Sequence, residues 1–303
     1  MSESTNLQKV TVLGTGVLGS QIVMQAAYAG KDVVAYDITQ EFLDKLTERW
    51  EWMRGYYVAE VPDYTPERFD AAIARITTST VLAEAVGEAD VVIEAVPENL
   101  ELKKSVWAEV GAAAPDHTIL LTNSSSLLPS DFADATGHPD RFLALHFANM
   151  VWRCNTGEVM ATPTTDPAVF ERTVAFAEEI NLVPIRILKE TPGYVLNGLL
   201  IPWLEAAALL YVNGVANPAD IDRDWTISTG APGGPFQVYD VVGFNVVVAI
   251  NAGKAERTPE GDKFSEMLVE RGISQGKAGL ADGVGFYEYE NGVPVRPNPD
   301  WEL

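Results

Sequence analysis

The chain of 303 residues is poor in cysteine, histidine and basic side chains. Its one cysteine, Cys154, cannot form a disulfide within the chain. The histidines, His117, His138 and His146, have no cysteine or histidine partner at ligand spacing, so the sequence predicts no metal site. With 21 basic against 43 acidic residues the net charge is −22, which excludes nucleic acid and anionic membranes as expected partners.

Long uninterrupted apolar runs are also scarce. The segment 194–212 is apolar, but it contains Asn197, Pro202 and Glu205 and is only marginally long for a bilayer span. We therefore expect a buried helix there and no membrane partner. The segment 1–9 lacks the basic and then apolar pattern of a secretory signal, so we expect a cytoplasmic protein.

The length and the hydrophobic content of 47% favour two domains. In the first, short β-branched runs alternate with helix-favouring stretches, which predicts a parallel sheet covered by helices on both faces. The predicted strands are 9–13, 32–36, 91–95, 119–122 and 142–146, and the predicted helices include 20–28, 41–53 and 98–113.

Helical patterns dominate after residue 192, so the second domain is predicted to be all-α. The expected boundaries are 1–190 for a dinucleotide-binding domain and 191–303 for a helical domain. The segment 291–303 contains three prolines and two acidic residues, and we expect it to be a surface tail.

A glycine-rich fingerprint follows the first predicted strand and opens a helix. Its residues are Gly14, Thr15, Gly16, Val17, Leu18 and Gly19. Glycine there permits a tight turn and the close approach of a pyrophosphate. Asp37, eighteen residues beyond Gly19, ends the next strand, where a carboxylate accepts hydrogen bonds from ribose hydroxyls and repels a 2′-phosphate. This predicts NAD rather than NADP; the alternative is a simple turn with a solvated loop acid.

Another strand ends in the sequence Glu94-Ala95-Val96-Pro97-Glu98. In a doubly wound sheet this end lies at the ligand-binding edge, so Ala95, Val96 and Glu98 are predicted to border the nicotinamide half of the cofactor. For Glu98 an equally good alternative is an acid that stabilises a helix N-terminus.

Nicotinamide chemistry at a hydroxyl-bearing carbon requires a base for the hydroxyl proton and donors that stabilise the developing alkoxide. His146 ends a predicted strand at the same sheet edge, whereas His117 and His138 lie in polar loops. A lone histidine in an apolar stretch is also a common structural residue. The strand position alone leaves both interpretations of His146 open.

Several ordered motifs resemble those of the short-chain L-3-hydroxyacyl-CoA dehydrogenase family, over nearly the whole chain. The motifs are Thr122-Asn123-Ser124-Ser125-Ser126-Leu127, Leu145-His146-Phe147 with Asn149, Glu158, and Thr191-Pro192-Gly193-Tyr194-Val195-Leu196-Asn197. The resemblance implies a Rossmann-type NAD-binding domain and an all-α C-terminal domain like that of 6-phosphogluconate dehydrogenase. It also implies a homodimer built on the second domain.

The resemblance implies a catalytic set as well. His146 would be the general acid and base, Glu158 would orient its imidazole, and Ser125 and Asn197 would polarise the substrate oxygen. Ser125 is chosen among three consecutive serines because the family's serine-to-histidine interval is 21 residues. Asn197 has a local capping role as its alternative.

Two further residues are assigned to the cofactor through the resemblance. Asn123 begins the serine motif, and Lys103 matches a family lysine near the cofactor. A surface lysine on a helix is an equally good interpretation of Lys103.

The sequence departs from the family's CoA-thioester enzymes at two places. Those enzymes usually have Phe-Phe-Asn-Pro after the histidine, whereas this chain has Phe147-Ala148-Asn149-Met150, which is most similar to the diketoreductase branch. No basic residue lies in 55–67, where the family's CoA enzymes hold the nucleotide, and this chain has Glu60 and Asp63 there. Arg49, Arg54 and Arg68 lie on either side of this segment, so a CoA nucleotide stays open as an alternative. The expected substrate is a 3-hydroxyacyl or 3-ketoacyl compound, carried by CoA or by a simple ester.

Two rival functions stay open. One is a dehydrogenase of a small free hydroxy acid, similar to the gulonate and carnitine dehydrogenases, with Arg153 as a possible carboxylate anchor. The other is an NAD-binding relative that has lost catalysis.

Overall fold

A computed structural model of the chain describes residues 5–254, 256–290 and 292–303. These described residues divide into two compact units, with the boundary between Val195 and Leu196.

The first unit is built on one eight-stranded sheet in the order β3-β2-β1-β4-β5-β6-β7-β8. The strands are β1 (Lys9–Leu13), β2 (Asp32–Tyr36), β3 (Ile76–Ser79), β4 (Val91–Glu94), β5 (Ile119–Thr122), β6 (Phe142–Phe147), β7 (Thr156–Ala161) and β8 (Val183–Ile187). Strands β1 to β6 run parallel, which confirms the predicted sheet. Strand β7 is antiparallel to β6 and parallel to β8, an extension that the sequence patterns did not reveal.

Helices cover both faces of this sheet. They are α1 (Val17–Tyr28), α2 (Gln40–Asp44), α3 (Leu46–Glu60), α4 (Pro66–Ala74), α5 (Leu82–Val86), α6 (Leu100–Ala113) and α7 (Pro167–Glu179). Side chains alternate along β1, so Val10 and Val12 pack in one hydrophobic cluster while Leu13 packs in the other with Trp107 of α6. Two separate cores on the two faces are typical of a doubly wound fold.

The second unit is mainly helical. Its helices are α8 (Leu196–Val212), α9 (Pro218–Thr229), α10 (Pro235–Val242), α11 (Phe244–Ala252) and α12 (Pro259–Met267). One hairpin is added, formed by β9 (Tyr287–Glu290) and β10 (Val293–Pro297). The carboxylate of Asp240 in α10 accepts the amide protons of Phe286 and Tyr287 and so attaches this hairpin to the helices.

The expectation of a surface tail at 291–303 is half right for the described residues 292–303: most of them are exposed, but they do not form a free tail. Strand β10 pairs with β9, and Trp301 is only 1% exposed. Its ring lies 4.4 Å from that of Phe286, between centroids, inside the aromatic core of the second unit. The surrounding proline and acidic residues hid the role of Trp301 in the sequence. Burial of its large apolar ring stabilises the folded second unit. Asn291 lies outside the described residues.

No single helix within 5–254, 256–290 and 292–303 is both long and apolar enough to cross a bilayer. The consecutive helices α10 and α11 meet the length and composition limits only when taken together, and they are bent by 90° at their junction.

Candidate active site

The turn between β1 and α1 shows why its glycines are required. Gly14 has φ +95°, and a Cβ there would lie 2.7 Å from the carbonyl oxygen of Ala95. A Cβ on Gly19 would lie 2.0 Å from the carbonyl oxygen of Gly14. Around Gly16, in contrast, no atom lies within 4 Å of the Cβ position. Two glycines thus make the turn possible, and the third leaves open space at the N-terminus of α1, which fits a pyrophosphate.

Asp37 lies directly against this turn. Its Oδ2 accepts hydrogen bonds from the Thr15 amide at 2.8 Å and the Thr15 hydroxyl at 2.7 Å, and its Oδ1 accepts the Ile38 amide. A carboxylate has about four acceptor positions, so capacity for a ribose hydroxyl remains. The anionic oxygen beside the turn fits NAD better than a cofactor with a 2′-phosphate.

A cavity opens at the carboxyl edge of the sheet. Its lining residues are Gly16, Val17, Leu18, Gly19, Ala95, Val96, Glu98, Lys103, Asn123, Ser125 and His146. Every one of them was predicted from the sequence to bind cofactor or substrate. Of the other predicted residues in the first unit, Gly14 and Asp37 shape the adjacent turn, and Glu158 lies behind His146.

His146 and Glu158 are direct partners across the antiparallel pair β6–β7. Nδ1 of His146 lies 2.8 Å from Oε2 of Glu158, and both residues are buried. Because an ionised carboxylate only accepts hydrogen bonds, Nδ1 carries the proton and Nε2 is left as the basic nitrogen. The second carboxylate oxygen of Glu158 accepts the Val195 amide at 2.9 Å, which holds this carboxylate in place.

Tyr194 completes the surroundings of His146 and was not recognised as a site residue from the sequence. Its ring stacks on the imidazole with centroids 4.7 Å apart and planes inclined by 24°. Burial, reinforced by nearby carboxylates, raises the pKa of Tyr194, so its hydroxyl stays protonated and donates to the Ser124 carbonyl at 2.8 Å. The sequence signal was an aromatic residue placed directly after Gly193 within a family motif.

Glu98 holds the serine loop. Its Oε1 accepts the hydroxyl of Ser124 at 2.6 Å and the amides of Ser125, Ser126 and Leu127 at 3.0, 2.8 and 3.1 Å. Burial alone would raise the pKa of Glu98, but these hydrogen bonds and the Lys103 ammonium lower it to about 2. The helix-terminus interpretation is incomplete, because Asn99 is the residue that caps α6.

Lys103 is buried, with 1% of its side chain exposed, so the surface interpretation of this lysine is wrong. Its Nζ lies 2.6 Å from Oε1 of Glu94 and 3.3 Å from Oε2 of Glu98. Glu94, fully buried at the end of β4, also accepts the hydroxyl of Thr122 at 2.8 Å. We did not recognise Glu94 from the sequence; an acidic residue closing a fully apolar strand was the available signal.

The two predicted asparagines, Asn123 and Asn197, lie in different units. Oδ1 of Asn123 accepts the Phe147 amide at 2.9 Å, which joins the ends of β5 and β6 beside His146. Asn197 lies in the first turn of α8 in the second unit and is half-buried. Its contribution to the site stays a prediction.

The segment after His146, where the sequence departs from the family, is held by α1 and α3. Gln21 of α1 donates to Oδ1 of Asn149 at 2.8 Å and accepts the Met150 amide at 2.8 Å. The Glu60 carboxylate of α3 accepts Nε1 of Trp152 at 2.8 Å and pairs with Arg153 at 3.1 Å. An acidic side chain of 55–67, the segment without basic residues, is thus fixed beside the segment that follows His146.

A largely parallel dinucleotide-binding sheet, with a His–Glu pair and a serine loop at its cofactor edge, is typical of a nicotinamide-dependent dehydrogenase. Two family models match the chain. The model for the 3-hydroxyacyl-CoA dehydrogenase NAD-binding domain covers residues 9–191, and the model for the C-terminal domain covers residues 193–289. The chain belongs to the 3-hydroxyacyl-CoA dehydrogenase family, and its cofactor is NAD.

Relatives with known names agree with this family. The mitochondrial hydroxyacyl-coenzyme A dehydrogenase of Rattus norvegicus is 35% identical over 94% of this chain and 92% of its own. The 3-hydroxybutyryl-CoA dehydrogenase of Clostridioides difficile is 30% identical over 93% of this chain and 99% of its own.

Solved structures show the same similarity. A diketoreductase structure, described as catalysing reactions of dicarbonyl compounds, is 49% identical with a TM-score of 0.90, covering 94% of this chain and 100% of that one. The (S)-3-hydroxybutyryl-CoA dehydrogenase of Ralstonia eutropha is 26% identical with a TM-score of 0.80, covering 94% and 100%.

Proposed function

We propose that the protein interconverts L-3-hydroxyacyl and 3-ketoacyl compounds with NAD(H) at the cavity described above. The observation that carries this proposal is the buried His146–Glu158 pair, whose histidine lines the same cavity as Gly16 and Ser125. A base, a hydroxyl donor and a dinucleotide turn therefore surround one space. These are the groups that hydride transfer at a secondary alcohol requires.

Bound at the turn that contains Gly14, Gly16 and Gly19, NAD would supply the hydride chemistry, with NAD+ as the acceptor in oxidation of C3 and NADH as the donor in reduction of the ketone. In oxidation, Nε2 of His146 removes the hydroxyl proton, and in reduction the same nitrogen returns it. Glu158 keeps the proton on Nδ1 and balances the positive charge of the imidazolium that forms. Ser125, and Asn197 by resemblance to the family, donate to the substrate oxygen as its negative charge develops.

The acyl carrier is the second question, and Glu60 bears on it. CoA brings phosphate charges that need lysine or arginine contacts. Here the Glu60 carboxylate is hydrogen-bonded to Trp152 and forms an ion pair with Arg153. Residues 55–67 contain no lysine or arginine. These observations favour a β-keto or β,δ-diketo ester over a CoA thioester. The same pairing of Arg153 weakens its proposed use as an anchor for a free hydroxy acid.

The decisive experiment follows NADH oxidation with acetoacetyl-CoA, ethyl acetoacetate and a 3,5-diketo ester. The native protein is compared with His146→Ala, and with His117→Ala as the control, since His117 is exposed and pairs with Asp90. We expect turnover that depends on His146 but not on His117, with the esters preferred.

The result can contradict either part of the proposal. A preference for acetoacetyl-CoA would assign CoA as the carrier. If none of the three compounds is turned over in a way that depends on His146, the proposed function is overturned. That result would favour a free hydroxy acid substrate or a non-catalytic NAD-binding protein.

We further propose that residues 1–190 bind NAD and that residues 191–303 form a homodimer interface. Helices of the second unit leave large apolar side chains exposed, among them Leu199 and Ile227. Sedimentation equilibrium should show a dimer that Ile227→Glu weakens. Leu188→Glu, on an even more exposed apolar residue of the first unit, should leave the mass unchanged.

For the compartment, we propose the cytoplasm. A single exposed cysteine is compatible with a reducing environment. The rat relative is named mitochondrial, so fractionation of cells that express the full chain should locate the protein before any metabolic role is assigned.

A further inference from the structure

Tyr194 has an unusual backbone conformation next to the catalytic pair. It follows Gly193 at φ +76° and itself has φ +55°. Glycine adopts such left-handed values freely, but a residue with a large side chain adopts them at a cost in free energy. Contacts around Tyr194 must therefore stabilise this conformation. Its amide donates to the Thr191 carbonyl and its ring packs with Met160 and Ile187, and three further contacts involve the proposed catalytic residues or their immediate neighbours.

The ring contact concerns His146. Glu158 holds the imidazole at one point, Nδ1, and a single hydrogen bond leaves the ring free to tilt. The stacked phenol ring, 4.7 Å from the imidazole between centroids, removes that freedom. It defines the plane of the imidazole and thereby the direction of Nε2.

The hydroxyl contact concerns the serine loop. The Tyr194 hydroxyl donates to the carbonyl oxygen of Ser124 at 2.8 Å, one residue before Ser125. Glu98 holds the loop through its amide and hydroxyl protons, whereas Tyr194 holds it through a carbonyl. Glu98 and Tyr194 thus bind different backbone and side-chain groups of the same loop. Of these two side chains, Tyr194 is the one that also contacts His146.

The backbone contact concerns Glu158. With Tyr194 in the left-handed conformation, the next amide, that of Val195, donates to Oε1 of Glu158 at 2.9 Å. The oxygen that faces His146 is Oε2, so the two carboxylate oxygens are separately engaged. One residue therefore influences the histidine, the carboxylate and the serine loop together.

We infer that Tyr194 is a positioning residue that holds His146, Glu158 and Ser125 in their mutual geometry. The inference rests on the proposed function, since it assigns Tyr194 a task in the same reaction. Its ring and its hydroxyl have separable tasks: the ring orients the base, and the hydroxyl orients the donor loop.

Two substitutions separate these tasks. Tyr194→Phe keeps the ring and removes the hydroxyl, and Tyr194→Leu removes both. Tyr28 supplies matched controls, because it is also buried in the first unit and its hydroxyl also points to a backbone carbonyl, that of Asp63. Tyr28→Phe and Tyr28→Leu therefore report the general cost of altering a buried tyrosine.

The expected kinetic result is a graded loss of kcat. Tyr194→Phe should lower kcat about fivefold, the equivalent of one ordinary hydrogen bond. Tyr194→Leu should lower it roughly 10²-fold, because a misdirected base loses much of its contribution. KM for NADH should change less than about twofold, since Tyr194 does not line the cavity as described. Equal kcat values for the Tyr194 and Tyr28 variants, at matched thermal stability, would overturn the inference.

A second measurement does not depend on turnover. The Nδ1 proton between His146 and Glu158 should give a downfield NMR signal, assigned by its absence in His146→Ala. We expect it to persist in Tyr194→Phe and Tyr28→Leu and to broaden or vanish in Tyr194→Leu. An unchanged signal in folded Tyr194→Leu would refute the orienting task. Should the native protein show no activity that depends on His146, the proposed function fails while this signal still decides the inference.

Discussion

His146 and Glu158 are hydrogen-bonded because they lie opposite each other in the strand pair β6–β7, although they are twelve residues apart along the chain. The antiparallel pairing of these strands places the two side chains opposite each other. Residues twelve apart would not meet within a single helix or a single strand. In the proposed mechanism Glu158 acts only through His146, which makes the two residues a single functional unit.

A double-mutant cycle tests this unit. His146→Ala should lower kcat by roughly 10²- to 10⁴-fold, the usual contribution of a positioned acid or base. Glu158→Gln should lower it at least about tenfold because the imidazolium loses its counter-charge. The double variant should be no slower than His146→Ala, since residues of one network are not additive. Glu171→Gln, a carboxylate paired with Arg186 on the surface, serves as the control. Multiplicative losses would show that Glu158 acts independently.

The pH dependence of stability should report Glu98. Its pKa falls from 4.5 to about 2 in the folded protein, so the unfolded chain takes up the proton first as the pH decreases. The contribution of Glu98 to the free energy of unfolding is therefore complete above about pH 5 and is lost between about pH 4.5 and 2. Urea unfolding across this interval should show a shallower decline for Glu98→Gln than for the native protein.

The control for this experiment is Glu101→Gln in α6, because Glu101 is largely exposed and pairs only with Lys104. It should keep the native dependence on pH. If Glu98→Gln kept it as well, the hydrogen bonds from the serine loop would not stabilise the ionised form.

The buried ion pair of Lys103 and Glu94 should matter for stability. Lys103→Met leaves the fully buried Glu94 without its ammonium partner, which typically costs about 3–5 kcal/mol. Adding Glu94→Gln should recover part of that loss, because a neutral amide needs no counter-charge. Lys104→Met, on the exposed neighbour, should change the free energy of unfolding by less than about 1 kcal/mol. Urea midpoints at constant m-value measure all four proteins. Equal midpoints for the two lysine variants would contradict this account.

How far the sequence predicts this molecule depends on how local each signal is. The glycine turn and the strands around it follow from short patterns, and β1, β2 and β5 have the predicted bounds. Strand β7 escaped prediction because Gly157 and the buried Glu158 interrupt its apolar pattern. Its antiparallel direction depends on pairing with β6, which no local pattern encodes.

The surroundings of three side chains depend on partners that the sequence patterns did not reveal. Lys103 is a charged helix residue whose burial depends on Glu94 and Glu98, which lie before α6 in the chain and meet it only in the folded unit. Trp301 lies among residues typical of a loop but packs into a core formed far earlier in the chain. The catalytic pair itself was assigned through family resemblance rather than through spacing. Tertiary packing decides the burial of Trp301, and strand pairing decides the contact between His146 and Glu158. Lys103 instead meets acids only nine and five residues before it, through the turn between β4 and α6.

Substitutions at the glycines of the turn should distinguish residues required for folding from residues required for cofactor binding. Gly16 has a negative φ of −59°, so it does not need the left-handed region that favours glycine, and a Cβ there meets no atom within 4 Å. Gly16→Ala should therefore keep the native melting temperature within a few degrees. The same methyl group occupies the space proposed for the pyrophosphate, so the Kd for NADH should rise at least about tenfold. Quenching of protein fluorescence by NADH measures this Kd.

Gly19→Ala should behave in the opposite way, because its Cβ would lie 2.0 Å from the Gly14 carbonyl oxygen and the backbone would have to move. We expect several degrees of lost melting temperature or no folded protein. Gly55→Ala in α3 is the matched control, since its Cβ also meets no atom within 4 Å; alanine should stabilise the helix and leave NADH binding unchanged. Native affinity in Gly16→Ala would place the pyrophosphate away from this turn, whereas weakened affinity with native stability would locate it there.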